Sequence, residues 1–246
     1  MTNSTNTKIY ILIHGAWGAA WEFDDVKELL SKDGSIVHAL DLPGHGNNQM
    51  EIADVTMDAY VKHIGDFINK IDGKVILVGH SLGGAIISQV AEENAQKIEK
   101  LIYVAAMLPA NGDSPLGIMQ SDKYGQLLPR IIFSEDQSYA MLDNEMVREL
   151  LLHDVTDTEK LNKIVPEFLV KQAVQPFTAE IAISAEKFGT VPKHYIRASL
   201  DKVLTLELQD KMIKNWDVEK VFTLSSGHFP IISIATKLTD VIREIG

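Results

Sequence analysis

The stretch that most restricts the fold of this chain is Lys74-Val75-Ile76-Leu77-Val78-Gly79-His80-Ser81-Leu82-Gly83-Gly84-Ala85-Ile86-Ile87. Val75 to Val78 read as a short buried strand, and the run from Gly84 to about Asn94 reads as a helix. A strand that becomes a helix within so few residues forces the residue at the turn into a strained backbone conformation. That is tolerable only if its neighbours two positions away carry no side chain to collide. Gly79 and Gly83 supply this on either side of Ser81. The turn then holds the Ser81 hydroxyl above the carboxyl end of the strand, with the Leu82 N–H at the helix start placed to stabilise an oxyanion. A glycine-rich turn with a capping serine is the plainer alternative. The apolar strand before and the helix after favour a nucleophile.

At 246 residues the chain fits one larger α/β domain, or one such domain with an inserted subdomain. Cysteine is absent, which excludes disulfides, thiolate metal sites and cysteine nucleophiles, and inclines the reading toward the cytoplasm. The formal net charge of −11 argues against nucleic acid and anionic membrane surfaces as partners. No apolar run approaches the length of a membrane span. Residues 1–8 are polar and lack the pattern of a signal peptide, so the glycosylation-like Asn3-Ser4-Thr5 has no secretory context. No metal and no cofactor is expected.

Taken in order, Lys8 to Ile13 is a continuous apolar run of the kind found in strands buried on both faces of a parallel sheet. It ends in His14-Gly15-Ala16-Trp17-Gly18, where the Ala16 N–H is expected to be the second oxyanion donor. Trp21 to Leu30 reads as a helix, Ser35 to Leu40 as a strand, Met57 to Ile71 as a helix and Lys100 to Ala106 as a strand. His45, in the glycine-rich turn Asp41 to Gly46, is expected to fix that turn rather than act as a base. Strand and helix alternate, so the sheet should be parallel with helices on both faces.

The alternation lapses between Met107 and about Phe188, a proline-punctuated segment with short apolar clusters. It is expected to be a mostly helical cap of residues 108–188, inserted into a core made of residues 1–107 and 189–246 and lying over the site. His153-Asp154 within it reads as a surface hydrogen-bonding pair. Val191 to Ser199 restores the strand pattern and is followed by Asp201; Thr205 to Trp216 reads as a helix and Val218 to Leu224 as the last strand. Ser225-Ser226-Gly227-His228-Phe229-Pro230 then precedes a closing helix of about Ile231 to Ile245.

A serine hydroxyl is a poor nucleophile alone, so it needs a base to take its proton and a carboxylate to orient that base. Only His228 lies in a loop after a late strand and after a candidate acid. His14 and His80 sit in tight turns, and His38, His63 and His194 lie within strands or helices. Asp201, at the end of its strand, is the favoured acid; Asp210 lies within a helix and Asp217 before a strand, and Asp113 is the more serious rival.

His14-Gly-Ala-Trp, Val78-Gly-His-Ser-Leu-Gly-Gly84, Leu101-Ile-Tyr-Val-Ala-Ala-Met-Leu-Pro109, Leu200-Asp-Lys202 and Gly227-His228 resemble the α/β hydrolases grouped with plant methylesterases, plant hydroxynitrile lyases and related bacterial esterases. The resemblance covers nearly the whole chain and is weak in the cap. It implies an α/β-hydrolase fold with a six-stranded, mainly parallel sheet, and cofactor-free ester chemistry with Ser81, Asp201 and His228 as the triad. It also implies that Met107 and Phe229 line the substrate pocket. Trp17, from the first motif, is grouped with them as substrate-facing. A homodimer is hinted at. The lyases of this group carry threonine where this chain has Gly15 and lysine where it has Phe229, so the lyase reading falls below the esterase reading. A third reading is a small-molecule receptor that retains a full triad. The expected function is a serine hydrolase that cleaves small, fairly apolar carboxylic esters through an acyl-enzyme on Ser81, with the small-molecule ester and a second copy of the chain as its expected partners.

Overall fold

The computed structural model describes residues 7–246. The reading that residues 1–8 lack a signal-peptide pattern falls largely, and Asn3-Ser4-Thr5 wholly, outside the described residues. Strand β1 (Ile9–Ile13) leads through a 3-10 turn (Ala20–Phe23) into α1 (Asp24–Ser31); β2 (Ile36–Leu40), α2 (Met57–Ile68), β3 (Val75–His80), α3 (Leu82–Asn94) and β4 (Ile98–Val104) follow. The Thr56 side chain accepts the Ala59 N–H at 3.0 Å, which fixes where α2 begins. The helix stops three residues short of the expected Ile71, where N–H groups turn back to Gly65, Phe67 and Ile68.

The segment after β4 contains α4 (Pro115–Gln120), β5 (Ile132–Phe133), β6 (Tyr139–Met141), α5 (Asn144–Met146), a π-turn over Val147–Leu151, α6 (Thr158–Ile164), β7 (Gln172–Ala173) and α7 (Gln175–Thr178). Helical pieces predominate, as expected. They are joined by a three-stranded antiparallel sheet of order β5-β6-β7, which the sequence pattern does not show. Strands of two or three residues are too short to display a period of two. Leu150, Phe168 and Phe177 from this segment belong to the same buried cluster as the sheet residues, so the segment packs on the sheet as a continuation of its core.

The chain then returns as β8 (Lys193–Ala198), α8 (Leu206–Ile213), β9 (Lys220–Leu224), α9 (Pro230–Ser233) and α10 (Ala235–Ile245). The expected single closing helix is broken at Ile234 (φ −140°, ψ 42°), whose non-helical backbone ends α9 and precedes α10.

The main sheet has the order β2-β1-β3-β4-β8-β9, and every pairing is parallel. Every residue of β3 is buried, which explains its unbroken apolar sequence. From β1 the chain first moves outward to β2, then returns across β1 to β3. The crevice at the carboxyl ends of β1 and β3 is therefore the point where the winding reverses, the place where open α/β sheets hold their ligands. Ile13 stands level with Gly79, which brings the loop after β1 against the turn after β3.

Candidate active site

Ser81 occupies a backbone conformation (φ 53°, ψ −123°) that residues with a side chain rarely adopt. The turn around it has no room for side chains at the two flanking glycines. A Cβ at Gly79 would lie 2.7 Å from the Gly83 carbonyl oxygen, and one at Gly83 would lie 2.6 Å from that of Ile13. The Ser81 carbonyl accepts the N–H groups of Gly84 and Met107, each at 3.0 Å. The hydroxyl is thereby set at the mouth of the crevice, on a residue 8% exposed.

Three side chains from distant parts of the chain form one hydrogen-bonded row. His228 Nε2 lies 2.9 Å from Ser81 Oγ, and His228 Nδ1 lies 2.7 Å from Asp201 Oδ2. The other carboxyl oxygen, Oδ1, accepts the N–H groups of Val203 at 2.7 Å and Leu204 at 3.0 Å. Gln209 on α8 braces that turn by bonding the main chain of Ala198 and Leu204. A carboxylate only accepts, so Nδ1 carries the imidazole proton and Nε2 offers a lone pair to the serine hydroxyl.

The competing residues lie elsewhere. Asp113 caps its own turn by accepting the Ala110 N–H at 2.8 Å, and Asp210 pairs with Arg197. His45 donates from Nδ1 to the Gly18 carbonyl and accepts from the Tyr60 hydroxyl at Nε2. Burial brings its imidazole down to about 4 and holds that of His14 well below the usual range, so both are neutral braces. His153 and Asp154 do not pair on the surface. The Asp154 carboxylate reaches across to accept the N–H of Gly227, immediately before His228, at 2.7 Å.

Leu82 opens α3, where the first N–H groups have no partner within the helix. Ala16 follows Gly15, whose Cα lies so close to the serine that a Cβ there would be 2.8 Å from Ser81 Cβ. Trp17 is also in the left-handed region (φ 57°) and is held at both ends by the segment between β4 and β8. Its N–H donates to Gln172 Oε1 at 3.2 Å, and its indole N–H donates to the Ala140 carbonyl at 3.0 Å. The Trp17 ring packs 5.5 Å from that of Phe177. Phe177 in turn helps line a small apolar cavity with Leu116, Met119, Leu128 and Phe133. Met107 meets the serine turn through its main chain, and Phe229 packs against His80, His228 and Phe168.

Gln172 and Asp154 both support this region; Gln172 carries no signal in the sequence, because it acts as a single residue within an irregular stretch, and the sequence picks out Asp154 only as a partner of His153. Among the described residues there is no cluster of three or more histidines and carboxylates placed to hold a metal ion. No helix among them is long and apolar enough to cross a membrane.

The model of a family described as "Alpha/beta hydrolase family" matches residues 10–237. Putative methylesterase 11, chloroplastic, of Arabidopsis thaliana is 32% identical over 97% of this chain and 64% of that protein, so the chain spans less than two thirds of that relative. The pyrethroid hydrolase of Sphingobium wenxiniae is 29% identical over 95% of this chain and 86% of its own length. The crystal structure of a pyrethroid hydrolase from Sphingobium faniae is 28% identical and superposes with a TM-score of 0.85, covering 97% of this chain and 96% of that one. From its sheet order, its serine turn and the match along most of its length, this chain belongs to the alpha/beta hydrolase family.

Proposed function

We propose that the protein is a serine carboxylic ester hydrolase acting on small, fairly apolar esters, with Ser81 as nucleophile, His228 as base and Asp201 as the orienting acid. The observation that carries this reading is the Ser81–His228–Asp201 row, with contacts of 2.9 and 2.7 Å. It is supported by relatives named as methylesterase and pyrethroid hydrolase.

In this reading His228 takes the hydroxyl proton as Ser81 attacks the ester carbonyl, and Asp201 stabilises the imidazolium that forms. The Ala16 and Leu82 amides hold the oxyanion; one such donor in comparable sites is worth about a hundredfold or more in rate. Collapse of the tetrahedral intermediate passes the proton to the departing alcohol. Water, activated by the same imidazole, then releases the acid.

The lyase alternative lacks its chemistry here. Phe229 is buried against His80 and Phe168 and offers no positive charge for a departing cyanide. Gly15 could not become threonine without pushing on Ser81.

The direct test measures turnover of p-nitrophenyl acetate and butyrate by the wild type and Ser81→Ala. A panel of methyl esters of aromatic acids and short aliphatic esters, with mandelonitrile included, would run beside it. Ester turnover that disappears in the variant, without mandelonitrile cleavage, supports the proposal. Equal rates for the two proteins contradict it.

A further inference from the structure

Beside His228 lies a second acid and imidazole that the ester chemistry leaves unused. His80, the last residue of β3, and Glu22, in the turn before α1, both have side chains with no solvent exposure. His80 Nε2 lies 2.8 Å from the main-chain carbonyl oxygen of His228. A carbonyl only accepts, so Nε2 must carry a proton. The opposite ring nitrogen, Nδ1, faces Glu22 Oε2 at 3.6 Å. Among the described residues, neither that nitrogen nor either Glu22 oxygen has a hydrogen-bond partner. The space for the carboxyl group comes from Gly18, where a Cβ would fall 1.5 Å from Glu22 Oε1.

An ionised Glu22 facing the bare Nδ1 lone pair of a neutral His80 would set two acceptors against each other and leave a lone charge buried. One proton between them removes both problems. The pair is then either a carboxylic acid donating to Nδ1 or an imidazolium facing a carboxylate, and its net charge is zero in both cases.

We propose that Glu22 is a positioning residue that shares one proton with His80, forming a buried pair that fixes the main chain carrying the catalytic imidazole through the His80–His228 bond. The proposal rests on His228 being the base. Burial independently favours a protonated Glu22 carboxyl, raising it above the usual carboxylate range. The other ionisable groups around the pair are accounted for. His14, from the loop after β1, is kept neutral by burial, and His228 comes from the loop after β9. Asp24, Asp25, Lys160, Lys163 and Glu167 line the groove outside Glu22, and Lys160 is bonded to Asp25 at 2.9 Å.

The test compares Glu22→Leu and Glu22→Gln with the wild type, using p-nitrophenyl butyrate across about pH 5 to 9, with Ser81→Ala as the reference for the site itself. Leucine fills the space and leaves Nδ1 without a donor. It is expected to lower kcat roughly tenfold or more while KM changes less than about threefold. Glutamine can donate an N–H to Nδ1. It is expected to restore kcat to within about threefold of wild type and to leave the midpoint of the acidic limb of kcat/KM where it was, because the charge of the pair is unchanged.

Wild-type kcat in Glu22→Leu would overturn the proposal. So would an acidic limb in Glu22→Gln that moves down by about half a pH unit or more, since the wild type would then carry an unshared negative charge beside His228. If Glu22→Leu does not fold, the pH profile of Glu22→Gln decides the matter alone. Wild-type turnover by Ser81→Ala would instead refute the catalytic row on which the proposal rests, whatever the Glu22 variants do.

Discussion

At the scale of single residues, the site depends on side chains removed as much as on those present. Glycines at 79 and 83 let Ser81 hold its strained conformation, and Gly15 lets the first loop close over it. Gly15→Ala would press a methyl group to 2.8 Å from Ser81 Cβ. Steady-state kinetics should show kcat reduced at least about tenfold as the nucleophile and the Ala16 amide separate. Asp201→Asn is expected to lower kcat by roughly a thousandfold or more with the fold intact, because an amide in place of the carboxylate permits the wrong imidazole tautomer. Kinetics paired with circular dichroism would separate this from unfolding. The sequence names Ser81, Asp201 and His228 because each sits at a strand end within a recognisable motif. It does not name Glu22, which matters only through Gly18 and His80, residues that reach it by folding.

At the scale of elements, the segment between β4 and β8 bonds to the loops on either side of Ser81. Gln172 holds the Trp17 N–H next to the Ala16 amide, and its own amide reaches the Tyr60 hydroxyl at 3.3 Å, which in turn meets His45. Asp154 holds Gly227 next to His228. This segment thus braces the loops that carry Trp17 and His228. Gln172→Leu leaves the Trp17 N–H and the Tyr60 hydroxyl short of a partner, and should cost about 1–3 kcal/mol in urea unfolding. Its kcat should fall more than its KM rises, as the oxyanion loop loosens. A variant with unchanged kcat would show that the loop holds itself. This bracing is invisible in the sequence. The strands and helices of the sheet are legible because each is long enough to show its period, whereas β5, β6 and β7 are two or three residues long and pair only within the folded cap.

At the scale of the whole molecule, the stability of the fold is tied to neutral imidazoles in its core. His45 is brought down to about 4 by burial, while in the unfolded chain it titrates near 6.5. As pH falls through about 6.5 the unfolded state takes up this proton first, so stability is full above that value, declines toward about 4 and levels off below it. The difference amounts to roughly 3 kcal/mol. His14 shifts in the same direction. Urea unfolding at about pH 7.5 and 4.5 should therefore show a smaller loss in His45→Gln than in the wild type; equal losses would remove His45 from the account. The sheet order, the reversal of winding between β1 and β3 and the row at their carboxyl ends all serve one chemical claim, a transient ester on Ser81. Intact-mass spectrometry of enzyme quenched during turnover of p-nitrophenyl butyrate tests that claim most directly. The account predicts a butyryl adduct that maps to Ser81 and is absent from Ser81→Ala, whereas full turnover with no adduct on Ser81, or an adduct on another residue, would contradict it.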